Sequence, residues 1–232
     1  PNPDGSFTCT LFWPFDAVPG RDDATFATVR DGQAALERFR RDYPDALPLM
    51  PELVAEFDRN PVGTMVTIRC WPWTFGGRFA LLGDAAHAIV PFYGQGANAS
   101  FEDCECLIDA LERHPGDVAR ALDEYQRERK PNADAIADMA MANFVEMSDG
   151  TARLSFKWKK KLDHLLNRLM PEAYVPLYDL VSFTTVPYAA ARERARRQDR
   201  TVRKAAVAVA IAVVSALGVS LYLAARRIMS DG

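Results

Sequence analysis

Residues 79–98 place more demands on a fold than any other part of the chain. Residues 79–82 form a short apolar run of strand character, which stops at Gly83-Asp84. After a loop containing Pro91, a long helix starts near Gly94-Gln95-Gly96. A strand, an acidic residue, a glycine-rich loop and a helix start together make a holder for a polyhydroxylated, anionic cofactor. Asp84 can accept hydrogen bonds from ribityl-type hydroxyls, and the glycines let backbone N–H groups approach closely. The helix start presents free donors and partial positive charge to an anion or an electron-rich ring. A Gly-Asp pair alone is common in turns. The full string, Gly83-Asp84-Ala85-Ala86-His87, then Pro91, then Gly94-Gln95-Gly96-Ala97-Asn98, is far more specific.

Little else points to a competing chemistry. The net charge is −3 and no basic stripe runs through the globular part, which argues against nucleic acid as a partner. Cys9, Cys70, Cys104 and Cys106 form no CxxC pair, and on a helix the thiols of Cys104 and Cys106 point apart. They read as free thiols. His87, His114 and His164 are scattered, so no metal site is expected.

Alternation predicts strands over residues 6–12 and 64–69. Apolar spacing predicts helices over 31–43 and 51–58, and then a series without further strands at 96–113, 117–147, 153–169 and 186–204. Pro131 is expected to interrupt or kink the second of that series. Residues 205–225 carry no charge and are rich in Ala, Val, Leu and Ile, with Arg192 to Lys204 before them and Arg226-Arg227 after. That length matches a membrane-spanning helix of roughly 20 residues. The alternative is an Ala-rich buried helix, since alanine inserts less readily than Leu or Phe.

The string beginning at Gly83 resembles the second flavin-contacting motif of the class A flavoprotein aromatic hydroxylases. Its continuation, Ala99-Ser100-Phe101-Glu102-Asp103-Cys104, resembles the branch of that family acting on L-kynurenine. The resemblance covers roughly residues 1–195 and implies an FAD-dependent hydroxylase fold of mixed α/β (α+β) class. No GxGxxG motif occurs, so the chain is expected to be the C-terminal part only. On that reading residues 1–113 close the FAD and substrate domain, 114–204 form a helical region and 205–225 a transmembrane tail anchor. The implied membrane is the outer mitochondrial membrane, facing the cytosol, in a eukaryote and the inner membrane in a bacterium.

The resemblance also assigns roles. Asp84 is implied to hold the ribityl chain of FAD, and Ala97 and Asn98 to approach the pyrimidine end of the ring; relatives usually carry Met where Ala97 stands. Pro91 and Phe92 are implied to line the substrate's aromatic ring and to exclude water. Asn143-Phe144-Val145-Glu146-Met147 resembles the family's N-Y-x-E-M string, with Phe144 in place of Tyr. Asn143 and Tyr178 are implied to grip the polar end of L-kynurenine. NADPH and O2 are the implied co-substrates, and no catalytic nucleophile is expected because the cofactor carries the chemistry. Two alternatives remain open: a related flavin hydroxylase of another aromatic substrate, and a non-catalytic membrane-tethered module.

Overall fold

The structure, a computed structural model, describes residues 2–16, 24–147 and 154–230. The chain divides into two units, Pro1–Thr64 and Met65–Gly232. The boundary expected at residue 113 falls inside the second unit.

The first unit is built on two helices, α1 (Gly32–Asp42) and α2 (Leu53–Arg59). Asp31 starts α1 as its N-cap, accepting from the Ala34 N–H at 2.8 Å. Ala35 and Phe39, four apart on one face, are buried. Trp13 packs against Phe39 and Phe57, with ring centroids 6.5 and 6.2 Å apart, and ties the preceding loop to both helices.

The second unit is mostly helical. A short hairpin, β1 (Thr74–Phe75) and β2 (Phe79–Ala80), pairs antiparallel. A one-turn helix, α3 (Asp84–His87), follows, and then the long helices α4 (Gly96–Arg113) and α5 (Val118–Val145). Three more helices complete it: α6 (Leu154–Leu169), α7 (Leu177–Ser182) and α8 (Tyr188–Ser230). Central to the core is α5. One cluster joins its Ala121, Tyr125 and Ala133 to Cys106 and Ala110 of α4 and to Trp73. A second joins its Ala135, Ile136 and Met139 to Leu180, Val181, Tyr188 and Ala191 of α7 and α8. Alanine at these positions lets the helices come close without cavities.

Four expectations are corrected. Residues 6–12 and 64–69 form no strand among the described residues, and the run at 79–82 pairs only over Phe79–Ala80. An extended segment becomes a strand only where a neighbour supplies ladder hydrogen bonds, and alternation alone does not provide one. The described residues therefore make a mostly helical partial domain, in which the strand content expected of a mixed α/β (α+β) class comes down to one short hairpin. Of the interruption or kink expected at Pro131, the interruption does not occur, since α5 runs on to Val145. The last helix does not stop near 204, because α8 continues unbroken to Ser230. No helix among the described residues is long and apolar enough to cross a membrane. Many side chains of the expected anchor at 205–225 lie outside the described residues.

Candidate functional site

The string singled out in the sequence folds into one corner of the second unit. Gly83 closes the hairpin strand with φ 57° and ψ −138°, a backbone conformation that L side chains rarely adopt. A Cβ there would sit 2.8 Å from the Ser100 Oγ, so the loop is seated directly on α4. Asp84 follows at the start of α3. It is exposed, and its carboxylate makes no hydrogen bond or ion pair with any described residue. Pro91–Tyr93 make a 3₁₀ turn that ends at Gly94, with φ 66°. Helix α4 then begins with Gln95 as its N-cap residue.

The first intrahelical bond of α4 runs from the Ala99 N–H to the Gln95 carbonyl at 2.9 Å. The N–H groups of Gly96, Ala97 and Asn98 precede it and have no carbonyl one turn back. Ala97 and Asn98 are exposed. The Asn98 side chain turns back to the Gln95 Oε1 at 2.9 Å, and the Tyr188 hydroxyl reaches the same oxygen at 3.3 Å. The helix start is thus fixed from both sides while its backbone donors stay outward.

Beneath this corner lies a group of charges that the sequence reading missed. Asp103 of α4 is fully buried, and His87 and Arg129 are 4% and 5% exposed. The Asp103 Oδ2 accepts from the Gly83 N–H at 2.9 Å and lies 2.5 Å from the His87 Nε2. Its Oδ1 accepts from the Arg129 Nε at 2.7 Å. Arg129 also donates to Glu102 at 2.7 Å and to the Ala99 carbonyl at 3.1 Å. Burial alone would raise the Asp103 carboxyl, but hydrogen bonds from His87, Arg129 and the Gly83 N–H outweigh it and hold the group below its ordinary range. The signal was present in the pattern. Asp103 lies on the apolar stripe Ala99, Cys106 and Ala110, and Arg129 on the stripe Tyr125, Ala133 and Ile136. Two opposite charges at core positions of neighbouring helices call for each other.

The predicted substrate residues gather around the Pro91–Tyr93 turn. The Asn143 Nδ2 donates to the Phe92 carbonyl at 2.7 Å. Phe92 stacks on Phe144 with centroids 4.6 Å apart. Tyr178 lies against Tyr93 at 5.9 Å and edge-on to Phe183 at 6.0 Å. Pro91 is exposed, Phe92 and Asn143 are half-buried, and Tyr178 is 50% exposed rather than buried. Burial, with Glu146 and Tyr178 nearby, pushes the Tyr93 hydroxyl up to about 12, so it stays protonated at neutral pH.

The donor set fits a flavin. An exposed carboxylate suits sugar-type hydroxyls, and outward N–H groups at a helix start suit an electron-rich ring. A Cβ added at Gly94 would meet nothing within 4 Å, so the space beside this turn is open. Among the described residues no group of His, Cys, Asp or Glu is placed to hold a metal ion.

Comparison with known proteins agrees with this chemistry. A profile described as an FAD binding domain matches residues 36–140. Kynurenine 3-monooxygenase of Salinispora arenicola (strain CNS-205) is 46% identical over 228 residues, covering 98% of this chain and 49% of that protein. The Dictyostelium discoideum protein of the same name is 44% identical over 206 residues, 83% of this chain and 44% of its own. That of Anopheles gambiae is 39% identical over 224 residues, 96% of this chain and 44% of its own. The chain spans about half the length of the curated relatives it matches.

Proposed function

A homologue of the kynurenine 3-monooxygenases that contains part of an FAD binding domain, this chain is, we propose, the flavin-ring and substrate end of an NADPH-dependent hydroxylase converting L-kynurenine to 3-hydroxy-L-kynurenine. FAD, reduced by NADPH, supplies the activation of O2 and the delivery of one oxygen atom to the aromatic ring. The remaining tasks are binding, orientation and exclusion of water, and they fall to residues of the protein. Asp84 accepts from the ribityl hydroxyls. The N–H groups of Ala97 and Asn98 face the pyrimidine end of the flavin, where the positive end of α4 favours negative charge.

Pro91 and Phe92, backed by Phe144, form an apolar wall along the substrate ring. The Asn143 amide nitrogen is already engaged by the Phe92 carbonyl, so its oxygen is the end offered to a donor on the ligand, such as an ammonium group. The hydroxyl of half-exposed Tyr178, beside Tyr93, supplies a second contact. The observation that carries this reading is that Asn143, Tyr178 and Phe92, from three separate elements, meet at the turn leading directly into the flavin-facing start of α4.

The test is a substrate panel on the full polypeptide carrying this chain, with NADPH consumption and hydroxylated product measured together. L-Kynurenine should stimulate NADPH oxidation and give 3-hydroxykynurenine in near-equal amount. A simple phenol should give neither. Hydroxylation of a phenol with no response to kynurenine would transfer the site to another member of the class, and absence of bound flavin would remove the reading altogether.

We also propose that residues 205–225 anchor the protein in a membrane. The uncharged sequence between basic flanks supports this, as does the unbroken course of α8. A form ending at residue 204 should stay in the supernatant after high-speed centrifugation while the longer form sediments with membranes. A truncated form that unfolds instead would show that the segment belongs to a buried core.

A further inference from the structure

Asp84 and the first turn of α4 must face one cofactor at a fixed separation, yet they lie on different elements. One carboxylate spans the gap. The Asp103 Oδ2 meets the Gly83 N–H, just before Asp84, and the His87 ring, three residues after it. The short helix bearing Asp84 is therefore held at both ends by a single oxygen. The other oxygen is held by Arg129, which reaches across from α5 and also grips the Ala99 carbonyl in the first turns of α4. Asp103 itself lies five residues beyond Asn98 on the same rigid helix, roughly 8 Å along its axis. The loop is seated directly on α4, where a Cβ at Gly83 would stand 2.8 Å from the Ser100 Oγ.

A buried ion pair is a poor source of stability, since apolar residues of similar volume often serve as well or better. What it provides is a directional constraint: each lone pair of Asp103 selects one partner and one angle. From this geometry we infer that Asp103, with Arg129 and His87, is a positioning device that sets the distance and orientation between the ribityl-binding carboxylate of Asp84 and the flavin-facing start of α4. The inference rests on the flavin reading given above. All three are buried beneath the loop, and on this reading they act through Asp84.

The experiment is a double-mutant cycle on FAD affinity, measured by titrating the full apoprotein with FAD and following flavin fluorescence. Asp84→Ala should weaken FAD about 10- to 100-fold and Asp103→Asn about 10-fold, the range of one or two charge-assisted hydrogen bonds. With Asp84 already removed, Asp103→Asn should cost less than about threefold, because the group it positions is gone. A residue that merely stabilises the fold would cost the same in both backgrounds, and that result would overturn the inference. If Asp84→Ala alone leaves FAD affinity unchanged, the flavin reading fails instead, so the two failures are distinct. Should Asp103→Asn not fold, His87→Phe takes its place in the same cycle with the same expectation. His87→Gln, whose amide can still donate to Asp103, should stay within about threefold of the parent. Equal losses for His87→Gln and His87→Phe would also count against positioning.

Discussion

The two ends of the site are held by different physics. At the proposed flavin end, Gly83, His87, Asp103 and Arg129 interlock through hydrogen bonds of 2.5–2.9 Å, and all four are buried. At the proposed substrate end, Phe92, Phe144, Tyr93 and Tyr178 meet through tilted ring contacts, and the Asn143 amide donates across to the Phe92 carbonyl. Buried charge permits few arrangements, because any departure leaves an ion unpaired. Half-exposed rings tolerate several arrangements of similar energy. The difference suits a cofactor that stays in place and a substrate that must enter and leave.

The largest effect should come from breaking the buried charge group. Arg129→Ala leaves Asp103 buried without its cation, and removal of one partner from such a pair costs about 3–5 kcal/mol. Urea denaturation of the two variants gives the comparison. Asn143→Ala, which removes one half-exposed amide, should cost no more than about 1 kcal/mol in the same assay. Equal losses would erase the distinction between the two ends.

Acid sharpens the same contrast. The folded-state pKa of Asp103 lies below its ordinary value of 3.8. Its contribution to stability is therefore fully present above that value and is lost as pH falls through the lower, folded-state pKa. The denaturation midpoint of Asp103→Asn should thus vary less with pH below about 4 than that of the parent. An identical acid profile would mean that the carboxylate is not ionised in the folded protein.

Next in size is the exposed carboxylate. Asp84→Ala should leave urea stability within about 0.5 kcal/mol, as for a surface side chain with no partner. FAD affinity should nevertheless fall about 10- to 100-fold, the equivalent of 1.5–3 kcal/mol. A large stability loss with FAD affinity unchanged would make Asp84 a cap for α3 and nothing more.

Much of this was legible in the sequence, and what was missed follows a pattern. Helix α1 falls within the 31–43 that apolar spacing predicted, capped by Asp31, and α5 falls largely within 117–147, starting after Asp117, whose carboxylate accepts from the Arg120 N–H at 3.1 Å. The Gly83–Asn98 string marked residues that the structure gathers into one corner of the second unit, where we propose the flavin binds. Strands were overstated at 6–12 and 64–69, since alternation records a propensity while a strand also requires a partner. The half-exposure of Tyr178 was not readable, because it follows from α7 presenting the ring against Tyr93 and Phe183 at the surface. The charge group at Asp103 went unread because its members lie 16 and 26 residues apart, so that the two charges interrupting apolar stripes were not read as a pair.

The central claim is that one turn, Pro91–Tyr93, separates a flavin end from a kynurenine end. Paired titrations of Asn143→Ala and Tyr178→Phe test it most directly, with FAD content and L-kynurenine affinity measured on the same preparations of the full protein. FAD should remain near one per chain, because the proposal places neither residue against the flavin. Kynurenine affinity should fall about 5- to 100-fold, the cost of about 1–3 kcal/mol for an unmatched polar group. More NADPH should also be consumed per 3-hydroxykynurenine formed, since a loosely held ring couples poorly to oxygen transfer. Unaltered kynurenine affinity in both variants, or loss of FAD in step with loss of kynurenine, would contradict the division of the site.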